Sequence, residues 1–257
     1  VGAAVHRVRL PMRAPHVAAQ GTETTREVLV VGVTDADGTV GWGECPTLAR
    51  PGYVAEHTDG AWDVLTGHLV PTLVADGRPP SPDAPPMAAG AVRDALVDLD
   101  LRVRGGTWGE GTGGRRRSVP FGVAVGLADD EAAVVRAAEA AVAAGAALVV
   151  LKVRPGWAER PLAAVRRALP DTAVAVDANG SFDPTAGIDE LRAVDALGPA
   201  FVEQPVAAGD LAGSARVAAA LSAPVSLDES VATVADLAAA VAAGAADMLT
   251  VKPSRGG

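Results

Sequence analysis

Five charged residues close apolar runs in the second half of this chain: Lys152 in VVLKV, Asp177 in VAVDAN, Glu203 in FVEQP, Asp228 in VSLDES and Lys252 in LTVKP. They recur 24–26 residues apart. Three carboxylates gathered on neighbouring strands make a hard oxygen site, suited to Mg²⁺ with Mn²⁺ as the substitute. Left alone they repel, and a divalent cation resolves that conflict. Taken singly, Asp177 followed by Asn-Gly is equally a turn residue or a helix N-cap. Equal spacing of three acids is what speaks against three independent caps. Lys152 precedes the acids by one strand and Lys252 follows by one, so the two would face each other across the metal. A lysine set near other cations gives up its proton more readily and can act as a base. A carboxylate substrate held by the cation has an acidified α-proton, because Mg²⁺ stabilises the enediolate that forms.

The elements that must position these residues are short. VPFGVAVG, ALVVLKV, TAVAVDAN, AFVEQP, PVSLDES and DMLTVKP read as six strands, separated by alanine-rich stretches of helical spacing. Strands alternating with helices imply right-handed βαβ units and a parallel sheet. Closed into a barrel, such a sheet brings the strand ends to one rim, the face on which barrel enzymes build their sites. An open sheet would spread the five residues along a line.

The first third differs. Residues 1–45 read as strands, with a hairpin turn at Asp35 to Gly38, and residues 57–76 and 86–104 have helical spacing around the proline-rich GRPPSPDAPP. RGGTWGEGTGGRRRS, residues 104–118, is turn-like and lacks the spacing of a phosphate loop. Its three arginines suit a solvated linker or an anion patch. A domain boundary is expected near 117, giving residues 1–117 and 118–257.

The chain has 257 residues and a net charge of −9, which argues against a general nucleic-acid binder. Cys45 is the only cysteine, so no internal disulfide and no cysteine zinc cluster forms. His6, His16, His57 and His68 all lie in the first third. No run of about 18 apolar residues suggests a membrane span, and the first residues lack a signal-peptide core. A cytoplasmic protein without membrane association is the expectation.

LKVRPGW, VDANGSF, VEQP, LDES and VKPSRGG together resemble the strand-end motifs of the enolase superfamily, muconate-lactonising subgroup. TTREV and GWGECPTLARPGY extend the resemblance into the first third. Within the subgroup the chain is most similar to o-succinylbenzoate synthases and N-succinylamino acid (N-acylamino acid) racemases. The resemblance implies an α/β fold: a (β/α)7β TIM-like barrel, of which this chain covers six strands, under an N-terminal α+β capping domain with a three-stranded antiparallel sheet. It implies Asp177, Glu203 and Asp228 as Mg²⁺ ligands, Lys152 as the base and Lys252 as the lysine of the opposite face. Asn179 matches a polar position near the metal. Glu229, beside a ligand, supports the site or caps a turn. Arg26 contacts a substrate anion or forms a salt bridge, and Trp42 is expected in the core rather than stacked on a substrate.

Two departures stand out. Val150 occupies the first lysine position of the family's K-x-K motif if PGW sets the register. The other register pairs Lys152 with Arg154, and arginine is too basic to take a proton at neutral pH. The chain also stops at VKPSRGG, where family members continue through two more strands; a fragment, or completion by another chain, is the expectation. The implied reaction is dehydration of 2-succinyl-6-hydroxy-2,4-cyclohexadiene-1-carboxylate in menaquinone biosynthesis. The alternatives are racemisation of N-succinyl or N-acyl amino acids by two lysines, and a non-catalytic fragment that retains the metal site. Dipeptide epimerases share much of the same rim. A small carboxylate substrate and a homo-oligomeric state are implied as well.

Overall fold

The computed structural model of the protein describes residues 1–18, 21–51, 55–128 and 130–256. These fall into two compact units. One comprises Val1–Pro15, Glu23–Ser118 and Lys252–Gly257, the other His16–Thr22 and Val119–Val251.

The first unit is built on a three-stranded sheet in the order β1 (Gly2–Ala18), β2 (Gly21–Thr34), β3 (Val40–Cys45). β2 and β3 pair antiparallel from Leu29↔Cys45 to Thr34↔Val40 around the expected turn, where Gly38 has φ 84°. Strand alternation sends Leu29, Val31 and Val33 to the buried face. Helix α3 (Pro86–Arg104) lies on that face. Two glycines let it come close: a Cβ on Gly41 would stand 2.2 Å from the Ala95 carbonyl oxygen, and one on Gly43 1.9 Å from that of Ala91. Glu56 accepts from the amides of Met87 and Ala88 at 2.7 and 3.0 Å, satisfying two of the helix's first N–H groups.

Trp42, expected in the core, is 43% exposed. The period of two gives the core-facing positions to Gly41, Gly43 and Cys45, so Trp42 lies over Gly32 on the other face, its ring 5.9 Å from that of His6. Cys45 is fully buried, and burial pushes its thiol up to about 12, which leaves it unreactive. The helical stretch expected at 57–76 forms as α1 (Thr58–Val64), a π turn (Leu65–Leu69) and α2 (Val70–Asp76). Pro71 cannot donate to the preceding turn and clashes there with the backbone, and the wider turn accommodates it. The stretch 104–118 is not all turn: α4 (Trp108–Gly111) forms one helical turn, fixed by a reciprocal cap between Thr107 and Glu110. Arg115, Arg116 and Arg117 beyond it are exposed. Residues 19–20 and 52–54 lie outside the described residues, and with the latter the end of GWGECPTLARPGY.

The second unit is a six-stranded parallel sheet in chain order: β4 (Gly122–Val125), β5 (Leu148–Lys152), β6 (Ala173–Asp177), β7 (Val202–Glu203), β8 (Val225–Leu227) and β9 (Met248–Leu249). Helices α5 (Glu131–Ala143), α6 (Glu159–Ala168), α7 (Ile188–Asp195), α8 (Leu211–Ala220) and α9 (Val234–Ala243) connect them, and α10 (Pro253–Gly256) follows β9 in the chain. This is the βα alternation of a TIM-like barrel; among the described residues the sheet does not close, and β4 and β9 are its edges. Asp130, Asp210 and Thr233 cap α5, α8 and α9 through side-chain oxygens that accept first-turn amides. Val149, Leu151, Val174, Val176, Leu162 and Val165 are at most 1% exposed and belong to one core of strand and helix side chains.

Candidate active site

Parallel register decides which strand-end residues share a row. Lys152 pairs with Asp177, Asp177 with Glu203, Glu203 with Ser226 and Ser226 with Met248. Register partners in a parallel pair point to the same face, so Lys152, Asp177 and Glu203 stand side by side. Asp228 lies two residues beyond this row and Thr250 two beyond Met248, on the same face by alternation. Equal spacing in sequence therefore does not mean equal height. Barrel strands are tilted and staggered, so positions along the rim advance along each strand. The advance puts Asp228 after the end of β8 rather than within it. Val150 shares a face with Lys152 one pleat earlier, opposite Ala175. Arg154 is exposed, in a turn that pairs its backbone with Trp157, so Lys152 is the cation that stands among the acids.

The carboxylates are deeply placed: Asp177 is 5%, Glu203 8% and Asp228 1% exposed. The Lys152 ammonium donates to Asp177 Oδ2 through a short contact and to Asn179 Oδ1 at 2.8 Å. Asn179 ties the cluster together. Its backbone N–H donates to Asp177 Oδ1 at 2.9 Å and its side-chain amide to Glu229 Oε1 at 3.0 Å. The other oxygen of Glu229 is buried without a hydrogen-bond partner. Burial first, and then the charges of Asp177 and Asp228, push the Glu203 carboxyl up to about 7, against the opposing pull of Lys152 and a hydrogen bond from Thr250. The site is therefore short of positive charge.

That deficit and the all-oxygen donor set fit a hard divalent cation. Distances impose a condition. Among the described residues no three His, Cys, Asp or Glu side chains stand close enough to enclose an ion. Lys152 lies against Asp177, so a cation bound there must first take that oxygen from the ammonium.

Lys152, Asp177, Asn179, Glu203, Asp228 and Glu229 all lie in the second unit. Lys252 and Arg26 do not. β9 ends at Leu249, three residues before Lys252, which falls with the first unit. Arg26, on β2, pairs with Glu23 at 3.1 Å. Sequence reasoning passed over Gln204, Ser226 and Thr250. The Ser226 hydroxyl lies 3.1 Å from that of Thr250, and Gln204 is fully buried. The one signal for Gln204 was a polar residue held between Glu203 and Pro205.

The fold is that of a TIM-like barrel domain of the enolase kind, and the comparisons agree. The family described as "Enolase C-terminal domain-like" matches residues 133–257. The N-succinylamino acid racemase of an Amycolatopsis species is 34% identical over 267 residues, spanning 100% of this chain and 72% of its own. The o-succinylbenzoate synthase of Geobacillus kaustophilus is 30% identical over 262 residues, 98% of this chain and 70% of its own. A solved structure described as a probable mandelate racemase from Alicyclobacillus acidocaldarius superposes with a TM-score of 0.88 at 34% identity, covering 98% of this chain and 70% of that one. The chain belongs to the enolase superfamily. Its relatives are enzymes, and members of the superfamily typically use a divalent metal.

Proposed function

We propose that the chain is a Mg²⁺-dependent dehydratase of the o-succinylbenzoate synthase type, acting on a cyclohexadiene carboxylate that bears a succinyl group and a hydroxyl. The observation that carries this is the row of Lys152, Asp177 and Glu203, with Asp228 one pleat further along the same face. Asp177, Glu203 and Asp228 would hold the cation. When bound, it supplies positive charge to the substrate carboxylate as negative charge grows there. Lys152 takes the proton from the carbon next to that carboxylate. It then returns a proton to the departing hydroxyl, so that water leaves and the ring becomes aromatic. By the superfamily resemblance Lys252, which falls with the other unit, would serve as the second lysine. Asn179 orients both Lys152 and Asp177, and Glu229 orients Asn179.

A second reading has its own support, because the Amycolatopsis racemase is the more similar of the two relatives. In that reading Lys152 and Lys252 exchange protons with opposite faces of the α-carbon of an N-succinyl or N-acyl amino acid. The two are separated by assaying the 257-residue chain with Mg²⁺ for aromatic product from the cyclohexadiene, and for α-deuterium incorporation into N-succinylamino acids in D₂O. Product with little exchange supports the dehydratase; exchange without product supports the racemase. Lys152→Ala is expected to reduce the operative activity by about a thousandfold, the weight of a general base. Full activity in that variant would overturn both readings. Metal binding without either activity would leave the non-catalytic alternative.

A further inference from the structure

Gln204 follows Glu203 directly and has no exposed surface. Its φ is 37°, in the left-handed region that side-chain-bearing residues rarely adopt. The bend sends its main chain and its side chain in different directions, and both find partners. The backbone N–H donates to Ser226 O at 2.8 Å. The backbone carbonyl accepts from Gly180 N–H at 2.7 Å, in the loop after β6. The side-chain Oε1 accepts from the amides of Asp228 at 3.0 Å and Ser230 at 3.2 Å, in the loop after β8. The side-chain Nε2 donates to Val206 O at 2.8 Å and Ser230 Oγ at 2.7 Å. One residue thus ties together the loops that follow Asp177 and Glu203 and the loop that carries Asp228. A buried amide with both donors and its acceptor engaged is rigid and specific, because any partner lost is left unsatisfied.

We infer that Gln204 is a positioning residue which sets the mutual placement of the three carboxylates. It touches no reacting atom; it acts through the backbones of Gly180 and Asp228. The contact to Gly180 is made by the backbone carbonyl, but only a side chain with two donors and one acceptor at the same tip makes the contacts to Val206, Asp228 and Ser230. Glutamate lacks the donors, and methionine, of similar length, lacks both. The inference rests on the metal-binding reading for its consequence, and on geometry alone for its cause.

The test uses the 257-residue chain, with Mn²⁺ as the probe, and three variants: Gln204→Met, Gln204→Gly and Ser230→Ala. In Gln204→Met the amides of Asp228 and Ser230 should exchange with solvent about a hundredfold faster, as protection by a buried acceptor is lost, while those of Val174 and Val176 stay protected. Mn²⁺ should bind about tenfold to a hundredfold more weakly, the usual effect of removing a group that orients metal ligands. Gln204→Gly relieves the left-handed backbone, so it should unfold at a higher temperature than Gln204→Met yet bind Mn²⁺ as weakly. A purely structural role predicts that binding follows stability across the two. Gln204→Gly binding like the parent would show that the bend alone matters and would overturn the proposal. Unchanged exchange at Asp228 and Ser230 would overturn it too. If Gln204→Met fails to fold, Ser230→Ala removes one partner of the four, and unaltered Mn²⁺ affinity there counts against the inference. A parent chain that binds no Mn²⁺ would remove the metal reading, and the exchange data would still decide whether Gln204 holds the loops.

Discussion

Glu27 accepts from two arginines at once, Arg7 Nη2 at 2.7 Å and Arg9 Nε at 2.8 Å, and Arg7 reaches Asp59 as well. The hydrogen bond from Arg7, then that from Arg9, holds the Glu27 carboxyl down to about 2, below its ordinary 4.5. A carboxyl whose pKa is depressed by folding stabilises the folded chain above its unfolded value, and that contribution is lost as pH falls through the folded one. Urea midpoints of the parent should therefore fall steeply between pH 4.5 and pH 2, the limits set by those two values. Glu27→Gln should be less stable at pH 7 and lose less over the same range. Identical slopes for the two proteins would show that the pair contributes nothing. Sequence alone offered Arg26 as the residue of interest here, and its neighbour Glu27 went unremarked. The three groups of the bridge lie 18 and 20 residues apart on two strands, and only strand pairing brings them together. The same limit applied at the site. Lys152 and the acids were legible because each ends an apolar run. The Asn179–Glu229 contact spans 50 residues and was not.

At the scale of elements, β3 and α3 show how much a missing side chain decides. A methyl group on Gly43 would meet backbone that has no room to shift without moving the helix. Gly43→Ala should destabilise by about 3 kcal/mol, at the severe end of overpacking. Gly67, within the π turn, faces open space at an ordinary φ. Gly67→Ala should instead stabilise by about 0.5–1 kcal/mol, through lower backbone entropy in the unfolded chain. Chemical denaturation of both variants checks the contrast, and equal effects would refute the packing account. Strand order and helix positions in the second unit followed from apolar runs and turn residues. The ends of β7 and β9 did not: two residues pair in each, although the apolar run begins before β7 and continues past β9. Runs report burial, whereas a ladder needs a neighbour in register.

For the whole molecule, the β9 edge of the parallel sheet is the informative region. On α9 Val234 is 83% and Val241 69% exposed, and near β9 Met248 is 43% and Val251 68% exposed. An apolar face of this kind invites association. The 257-residue polypeptide should therefore bind an apolar dye and sediment as a mixture of sizes. Val234→Glu together with Val241→Lys places an acid in the first turn of α9 and a base in its last, which suits the helix dipole. That double variant should bind less dye and sediment more uniformly with its helix content intact. Unchanged sedimentation would mean that this face takes no part in association. Among the described residues no helix is long and apolar enough to cross a membrane.

Order along the chain was sufficient for the strand–helix alternation, the parallel sheet and the five charged residues that end its apolar runs, because burial and turn chemistry are local properties. Tertiary structure alone decided which of those residues share a row, since stagger advances each strand against its neighbour. It set Lys252 beyond the end of its strand, turned Trp42 away from the core, and gave Gln204 its partners on three loops. Each of these depends on distances between residues far apart in the chain, and periodicity carries no information about them.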